Sequence, residues 1–338
     1  MSLRVSLLCA DCRMRQAHCS ATRGRLVQCR PSRRDRELFR WPNFGQVARV
    51  RVKLLRVELS PSVKLIINLA GTGMVPGKAD NPAVPITPRE IADDCGRCYA
   101  LGASMLHLHA RDEQGRPTWK PEIYRDIVPR VREQCPGAVI CLSTSGRNFK
   151  EFEQRAAVLD LDGDAKPDMA SLTLGSLNFP SQASVNEPSM IKALAERMRE
   201  RGIVPELEVF DFGMLDYAKY LIERGILRPP YYFNLLLGSL GTLRATPFHL
   251  ASLVMALPEK ATWGGAGIGR FQFFVNSLAI TMGGHVRVGL EDNLFMDAGK
   301  QRQASNPALV ERLVRLAESV EREIAKPAET RAMIGLPA

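Results

Sequence analysis

Eight times between residues 63 and 290, a short run of apolar or β-branched residues gives way to a stretch with helical spacing. The strand candidates are Lys64–Leu69, Met105–His109, Ala138–Ser143, Met169–Leu174, Val204–Val209, Tyr231–Leu237, Ala261–Ala266 and His285–Leu290. A helix that carries the chain back to the starting end of the sheet sets the next strand parallel to its predecessor, through a right-handed crossover. Residues 63–338 have the length of one (β/α)8 TIM barrel, an α/β fold in which helices cover a closed parallel sheet. An open doubly wound sheet is the alternative. The exit of the first strand, Gly71-Thr72-Gly73-Met74-Val75-Pro76, argues against it, since this is not a G-x-G-x-x-G turn opening directly into a helix. The first helix has a readable start in Thr87-Pro88-Arg89-Glu90, where Thr can cap, Pro suits the first turn and Glu completes a capping box.

Composition matters chiefly through where the charge lies. The chain has 46 Lys+Arg, 36 Asp+Glu and a net charge of +10. Residues 1–62 hold 14 of the basic and four of the acidic residues, so the whole excess sits there and the remainder is neutral. Electrostatic attraction to nucleic acid or membrane is therefore confined to that segment. It shows neither strand nor helix period, and the expectation is a disordered, basic N-terminal extension over 1–62 followed by a barrel domain over 63–338. Within the extension, Cys9-x2-Cys12 with His18 and Cys19 lacks the second ligand spacing of a zinc knuckle. A nucleic-acid-binding arm and an Arg/Ser-rich targeting peptide are the other readings of it. The apolar run near Val5 to Leu8 is too short for a signal peptide, and no run of about 18 apolar residues is present to span a bilayer. The expected compartment is the reducing cytoplasm, with free thiols, and Cys95-x2-Cys98 reads as buried structural cysteine in the first helix.

In such a barrel, active groups gather where strands end and loops begin. The second strand runs Leu106-His107-Leu108-His109-Ala110-Arg111, and period 2 puts His107, His109 and Arg111 on one face. Two imidazoles at i, i+2 can aim at one borderline metal such as zinc, or can form a hydrogen-bonded core pair. On the last strand, period 2 points His285, Arg287, Gly289 and, if the strand continues, Glu291 inward. A buried row of that kind must be paired or coordinated. It reads either as an ion-pair network or as Glu291 joining the histidines while Asp292 serves as a base near Arg287. Ser143, Thr144, Ser145 and Gly146 after strand three, Ser171 and Thr173 on strand four, and Glu206 and Glu208 on strand five recur at the same end. They suit substrate oxygens or the orientation of metal-bound groups, although Ser and Thr there also form turns. Gly264 to Arg270 is a phosphate cradle or a tightly packed loop.

The segments PITPREIA, HLHARDEQGRP, STSG, GSLNF, VPELEVFDFGML, AGIGR, GGHVRVGLEDN and SNPALVERL, in this order, give a further reading. From about Val63 to the carboxyl end the chain resembles the β-keto acid cleavage enzyme family, of the 3-keto-5-aminohexanoate cleavage type. The resemblance implies a zinc-dependent (β/α)8 acyltransferase that condenses a β-keto acid with acetyl-CoA and returns acetoacetate and a new acyl-CoA. It also implies a homo-oligomer, with a tetramer expected. By residue matching, His107, His109 and Glu291 are implied as Zn2+ ligands, Asp292 as the base, Arg287 as its partner and Glu208 as a further active-site acid. Ser143 and Ser171, the latter in place of the family's Thr, are implied to bind the carboxylate, and Ser145, Gly146 and Thr173 are grouped with them. Val75 occupies the position at which the family pattern pairs a glutamate with an ammonium group, so the expected substrate tail is uncharged and aliphatic, or anionic if Lys78 or Arg244 turns inward. Two other functions remain open: a metal-dependent barrel aldolase or lyase that uses no CoA, and nucleic-acid binding through the basic arm.

Overall fold

A computed structural model describes residues 63–337. The basic segment 1–62, with its cysteines and the expected disorder, lies outside the described residues. Eight strands form a closed parallel barrel: β1 (Ile67–Ala70), β2 (Met105–Leu108), β3 (Val139–Leu142), β4 (Met169–Thr173), β5 (Val204–Val209), β6 (Tyr231–Leu237), β7 (Ala261–Gly267) and β8 (His285–Val288). Closure comes from β1, which sets Ile67 beside Val286 of β8 and Asn68 beside Met105 of β2. The helices are α1 (Pro88–Ala100), α2 (Pro121–Gln134), α3 (Phe152–Ala156), α4 (Pro188–Arg201), α5 (Phe212–Glu223), α6 (Pro247–Ala256), α7 (Gln272–Thr281), α8 (Asn306–Ser319) and α9 (Pro327–Met333). The capping box expected at α1 is present: Glu90 N–H donates to Thr87 Oγ1, and Thr87 N–H donates to Glu90 Oε2.

Alternation along the strands divides the core in two. Ile66, Met105, Val139, Cys141, Met169 and Tyr232 fill the lower barrel, where Ala325 and Ile334 close it from beneath. Leu69, Leu106, Ile140, Leu172, Leu207 and Phe233 belong to the larger apolar cluster between the sheet and its helices. Cys95 and Cys98 are buried in α1, and burial pushes both thiols well above their ordinary range.

Two boundary differences bear on the site. The expected first strand began at Lys64, but the regular ladder begins at Ile67. Its lead-in is tied to the carboxyl-terminal segment instead, by a bridge from Leu65 to Ile324 and by ion pairs from Lys64 to Glu323 and Glu329 at 2.9 and 2.8 Å. The last strand was expected to run to Leu290, but it stops at Val288. Gly289 turns with φ +149°, and a Cβ there would lie 2.1 Å from Ala70 O. The turn is what carries Glu291 and Asp292 over the barrel mouth. His285, expected in the inward functional row, sits at the start of β8, where its Nδ1 accepts a hydrogen bond from Ile66 N at 3.0 Å. Burial, with Arg322 nearby, holds its pKa down at about 3, so it is a neutral packing residue.

The outer helices differ in polarity. Ion pairs such as Arg130–Asp126, Lys192–Glu196 and Arg315–Glu311 line the exposed sides of α2, α4 and α8. The successive helices α6 and α7 contain no charged residue, and they expose Phe248, Met255, Phe273 and Phe274. Among the described residues, no helix is long and apolar enough to cross a membrane.

Candidate active site

A cavity of about 760 Å³ opens at the carboxyl ends of the strands. His107, His109, Glu291, Asp292, Arg287, Glu208, Ser143, Ser145, Ser171, Thr173 and Val75 all line it. Gly146 does not. It lies within the loop after β3, packed where a Cβ would meet Arg155 Nη1 at 2.6 Å and Val185 O at 2.8 Å.

His107 is aimed from below. Its Nδ1–H donates to Glu206 Oε2 at 2.6 Å, the only sense open to a carboxylate acceptor. Glu206 also accepts from Asn68 Nδ2, Asn234 Nδ2 and Cys141 Sγ, so a fully buried carboxylate is surrounded by four donors. Burial opposes its ionisation, but His107 and Arg287 outweigh burial and hold it at about 2. Burial likewise lowers the His107 pKa, and the Glu206 charge raises it above the usual histidine range. The Nε2 atom is left facing the cavity. It lies 3.2 Å from His109 Nε2 and 4.0 Å from Glu291 Oε2, and His109 Nε2 lies 3.2 Å from Glu291 Oε1. Burial lowers the His109 pKa despite Glu291 beside it.

Two ligand sets of this density occur among the described residues: His107, His109 and Glu291, and His107, Cys141 and Glu206. The second is internally satisfied, and its thiol is pushed far above its ordinary range by burial and the Glu206 charge. The first has unmet capacity. Glu291 Oε2 is buried without a hydrogen-bond partner, and two imidazole Nε2 atoms converge on the same point. Two nitrogens and a carboxylate form a donor set suited to a borderline divalent cation.

Beside this set, Arg287 is nearly enclosed and holds three carboxylates. Its Nε donates to Asp292 Oδ2 at 2.9 Å, its Nη2 pairs with Glu291 Oε1 at 2.9 Å, and its Nη1 donates to Glu208 Oε1 at 3.3 Å. Burial raises the pKa of Asp292 and of Glu208 even against this guanidinium. For Glu291 the balance reverses: Arg287 and the two histidines outweigh burial and keep it well below the usual range. Thr173, grouped with the substrate binders from sequence, spends its hydroxyl proton on Glu208 Oε2 at 2.6 Å. Ser143 Oγ and Ser171 Oγ instead accept from the amides of Ser145 and Thr144, at 3.2 and 3.1 Å, leaving both hydroxyl protons for the cavity.

Other expectations resolve differently. Arg111 does not reach the cavity; it donates to Gly73 O and Pro76 O at 2.6 and 2.8 Å and pins the loop after β1. The glycines before Arg270 are mostly strand, and Gly267 lies so close to Phe271 that a Cβ would be 2.2 Å from its carbonyl oxygen. Packing explains them, and the Gly269 amide is occupied by Asp292 O at 2.7 Å. Lys78 pairs with Glu90 at 2.8 Å, and neither it nor Arg244 lines the cavity. The cations that do, besides Arg287, are Arg147, Arg270 and Lys300. Arg147, Asn68 and Asn234 belong to the site without being among the residues expected from sequence. The two asparagines had a signal, since each interrupts an otherwise apolar strand run at an inward position.

A model of the beta-keto acid cleavage enzyme family matches residues 64–336. The chain is 42% identical over 274 residues to 3-keto-5-aminohexanoate cleavage enzyme of Fusobacterium nucleatum, covering 81% of this chain and 98% of that protein. It is 37% identical over 277 residues to 3-oxoadipate:acetyl-CoA acetyltransferase of Cupriavidus necator, covering 80% and 95%. Among solved structures, apo ObcA superposes with a TM-score of 0.69 at 24% identity, over 76% of this chain and 66% of that one, a likeness of fold. With a matching family model over nearly all of the barrel and relatives of this similarity along their whole length, the chain belongs to the β-keto acid cleavage enzyme family.

Proposed function

We propose that residues 63–338 form a zinc-dependent acyltransferase that converts a β-keto acid and acetyl-CoA into acetoacetate and a new acyl-CoA. The observation that carries this reading is the convergence of His107, His109 and Glu291 beside an Arg287-clamped Asp292 in one cavity. The two relatives named above, one a keto acid cleavage enzyme and one an acetyl-CoA acetyltransferase, support the substrate classes.

His107, His109 and Glu291 would hold the metal, with Glu206 fixing the His107 tautomer from outside. When bound, zinc supplies Lewis acidity that stabilises negative charge developing on the substrate's keto oxygen. Ser143 and Ser171 present hydroxyl protons to the substrate carboxylate. Asp292 removes a proton from C2, the carbon between ketone and carboxylate, and its raised pKa favours that role. Arg287 contacts both Asp292 oxygens, at 2.9 and 3.3 Å, and holds the carboxylate in place through the transfer. The C2 carbanion attacks the acetyl-CoA carbonyl and expels CoA thiolate. The thiolate then adds to the original keto carbon, and the C2–C3 bond breaks. C2 leaves as the carbanion of acetoacetate, which recovers the proton from Asp292, and the remaining acyl group departs on CoA. No side-chain nucleophile is required.

We infer also that the chain forms homo-oligomers through the faces of α6 and α7, where Phe248, Met255 and Phe274 are exposed and neither helix carries a charged residue.

The proton-transfer assignment is tested with Asp292→Asn, which keeps the shape and removes the base. Exchange of the C2 hydrogen with deuterated solvent should fall to the uncatalysed rate. Exchange at the wild-type rate would remove Asp292 from this role.

A further inference from the structure

Arg147 lies five residues beyond the end of β3, in the loop layer above the strand ends, and lines the cavity. Its guanidinium carbon stands 3.6 Å over the centre of the Phe179 ring, and Phe179 packs edge-on against Phe210 with ring centres 6.0 Å apart. The Nε atom is buried without a hydrogen-bond partner. Among the described residues, no ion pair and no side-chain hydrogen bond neutralises or occupies this guanidinium. The neighbouring arginines differ. Arg287 is saturated by carboxylates, Arg155 donates to Thr144 O and Asn186 Oδ1, and Arg111 donates to loop carbonyls.

A half-buried cation held over an aromatic ring, with no carboxylate at ion-pair distance, is a preformed anion receptor, and a guanidinium matches a planar carboxylate with two parallel donors. The reacting end of the cavity is already supplied with its own groups, at the strand ends. Arg270 and Lys300 are exposed at the rim, where a long phosphorylated cofactor would emerge. Val75 and Met74, on the loop after β1, offer no competing charge.

We propose that Arg147 binds an anionic group at the far end of the keto acid, so that the enzyme prefers β-keto dicarboxylic acids. This rests on the proposed reaction and revises the aliphatic tail expected from Val75, which excludes a cation but does not bind the tail by itself. Arg147 is thus a specificity-determining residue for that reaction.

The test compares 3-oxohexanedioate with 3-oxohexanoate, which differ only by a carboxylate in place of the terminal methyl, on the metal-loaded full chain with saturating acetyl-CoA. The wild type should favour the diacid by about 10- to 100-fold in kcat/KM, the range for one charge-assisted pair. In Arg147→Gln that ratio should collapse to within about threefold of unity, and Arg147→Lys should recover part of it. Binding of the unreactive pair adipate and hexanoate, followed by calorimetry, reads the same preference without turnover. If acetyl-CoA supports no reaction but adipate binding is selective and depends on Arg147, the receptor stands and the reaction assignment fails. An Arg147→Gln variant that weakens both acids equally would overturn the proposal, as would one that raises only the KM for acetyl-CoA. An unchanged ratio would overturn it too.

Discussion

Glu206 shows how a single buried charge can orient a candidate metal ligand from outside the cavity. Its four donors come from β1, β2, β3 and β6, so the orientation of His107 is fixed by the closed sheet itself. The His107 and His109 pair was legible from sequence because period 2 forces i and i+2 onto one face. The orienting shell was less legible, since a lone Asn68 or Asn234 within an apolar run does not name its partner. Arg147 had no signal at all, because loops carry no periodicity. The ligand assignment leads to a direct expectation. His109→Ala removes one of three donors and should weaken zinc binding by more than the about 10- to 100-fold typical of changes in the surrounding shell. Elemental analysis of the dialysed variant should show little zinc, and full occupancy would exclude His109 as a ligand.

At the scale of elements, all eight strands were readable, and β5 and β6 match the expected limits residue for residue. The apolar alternation of Val286, Val288 and Leu290 continues past the end of the ladder, so the strand expected to reach Leu290 stops at Val288. What ends it is Gly289, whose conformation and contact with Ala70 O bring the following carboxylates inward. Leu290 N–H is then held by Asn306 Oδ1 at 2.8 Å, and Gln272 Nε2 donates to Gly289 O at 2.8 Å. Gly289→Ala should therefore destabilise the barrel by about 1–3 kcal/mol or more, and lower turnover by displacing Glu291 and Asp292. Gly163→Ala is the control: its φ is +59° with nothing within 4 Å, so it carries backbone strain alone and should cost about 1 kcal/mol. Urea unfolding of both variants distinguishes them, and equal midpoints would show that the close approach to β1 is not what requires glycine.

For the whole molecule, the barrel closes on itself from Lys64 onward, through the Lys64 ion pairs and through Arg322, which donates to Val63 O at 2.8 Å and Ile280 O at 3.0 Å. A chain shortened to residues 60–338 should thus keep its turnover and, if α6 and α7 pair between copies, its oligomeric mass by light scattering. Loss of either in a folded protein would assign residues 1–62 a part in catalysis or assembly. The central claim concerns the fate of carbon. With acetyl-CoA labelled by carbon-13 in both acetyl carbons, mass spectrometry of the products should find the label in acetoacetate alone, and the new acyl-CoA should carry only carbons from the keto acid. Cleavage of the keto acid without acetyl-CoA, or label retained in the new acyl-CoA, would contradict the account.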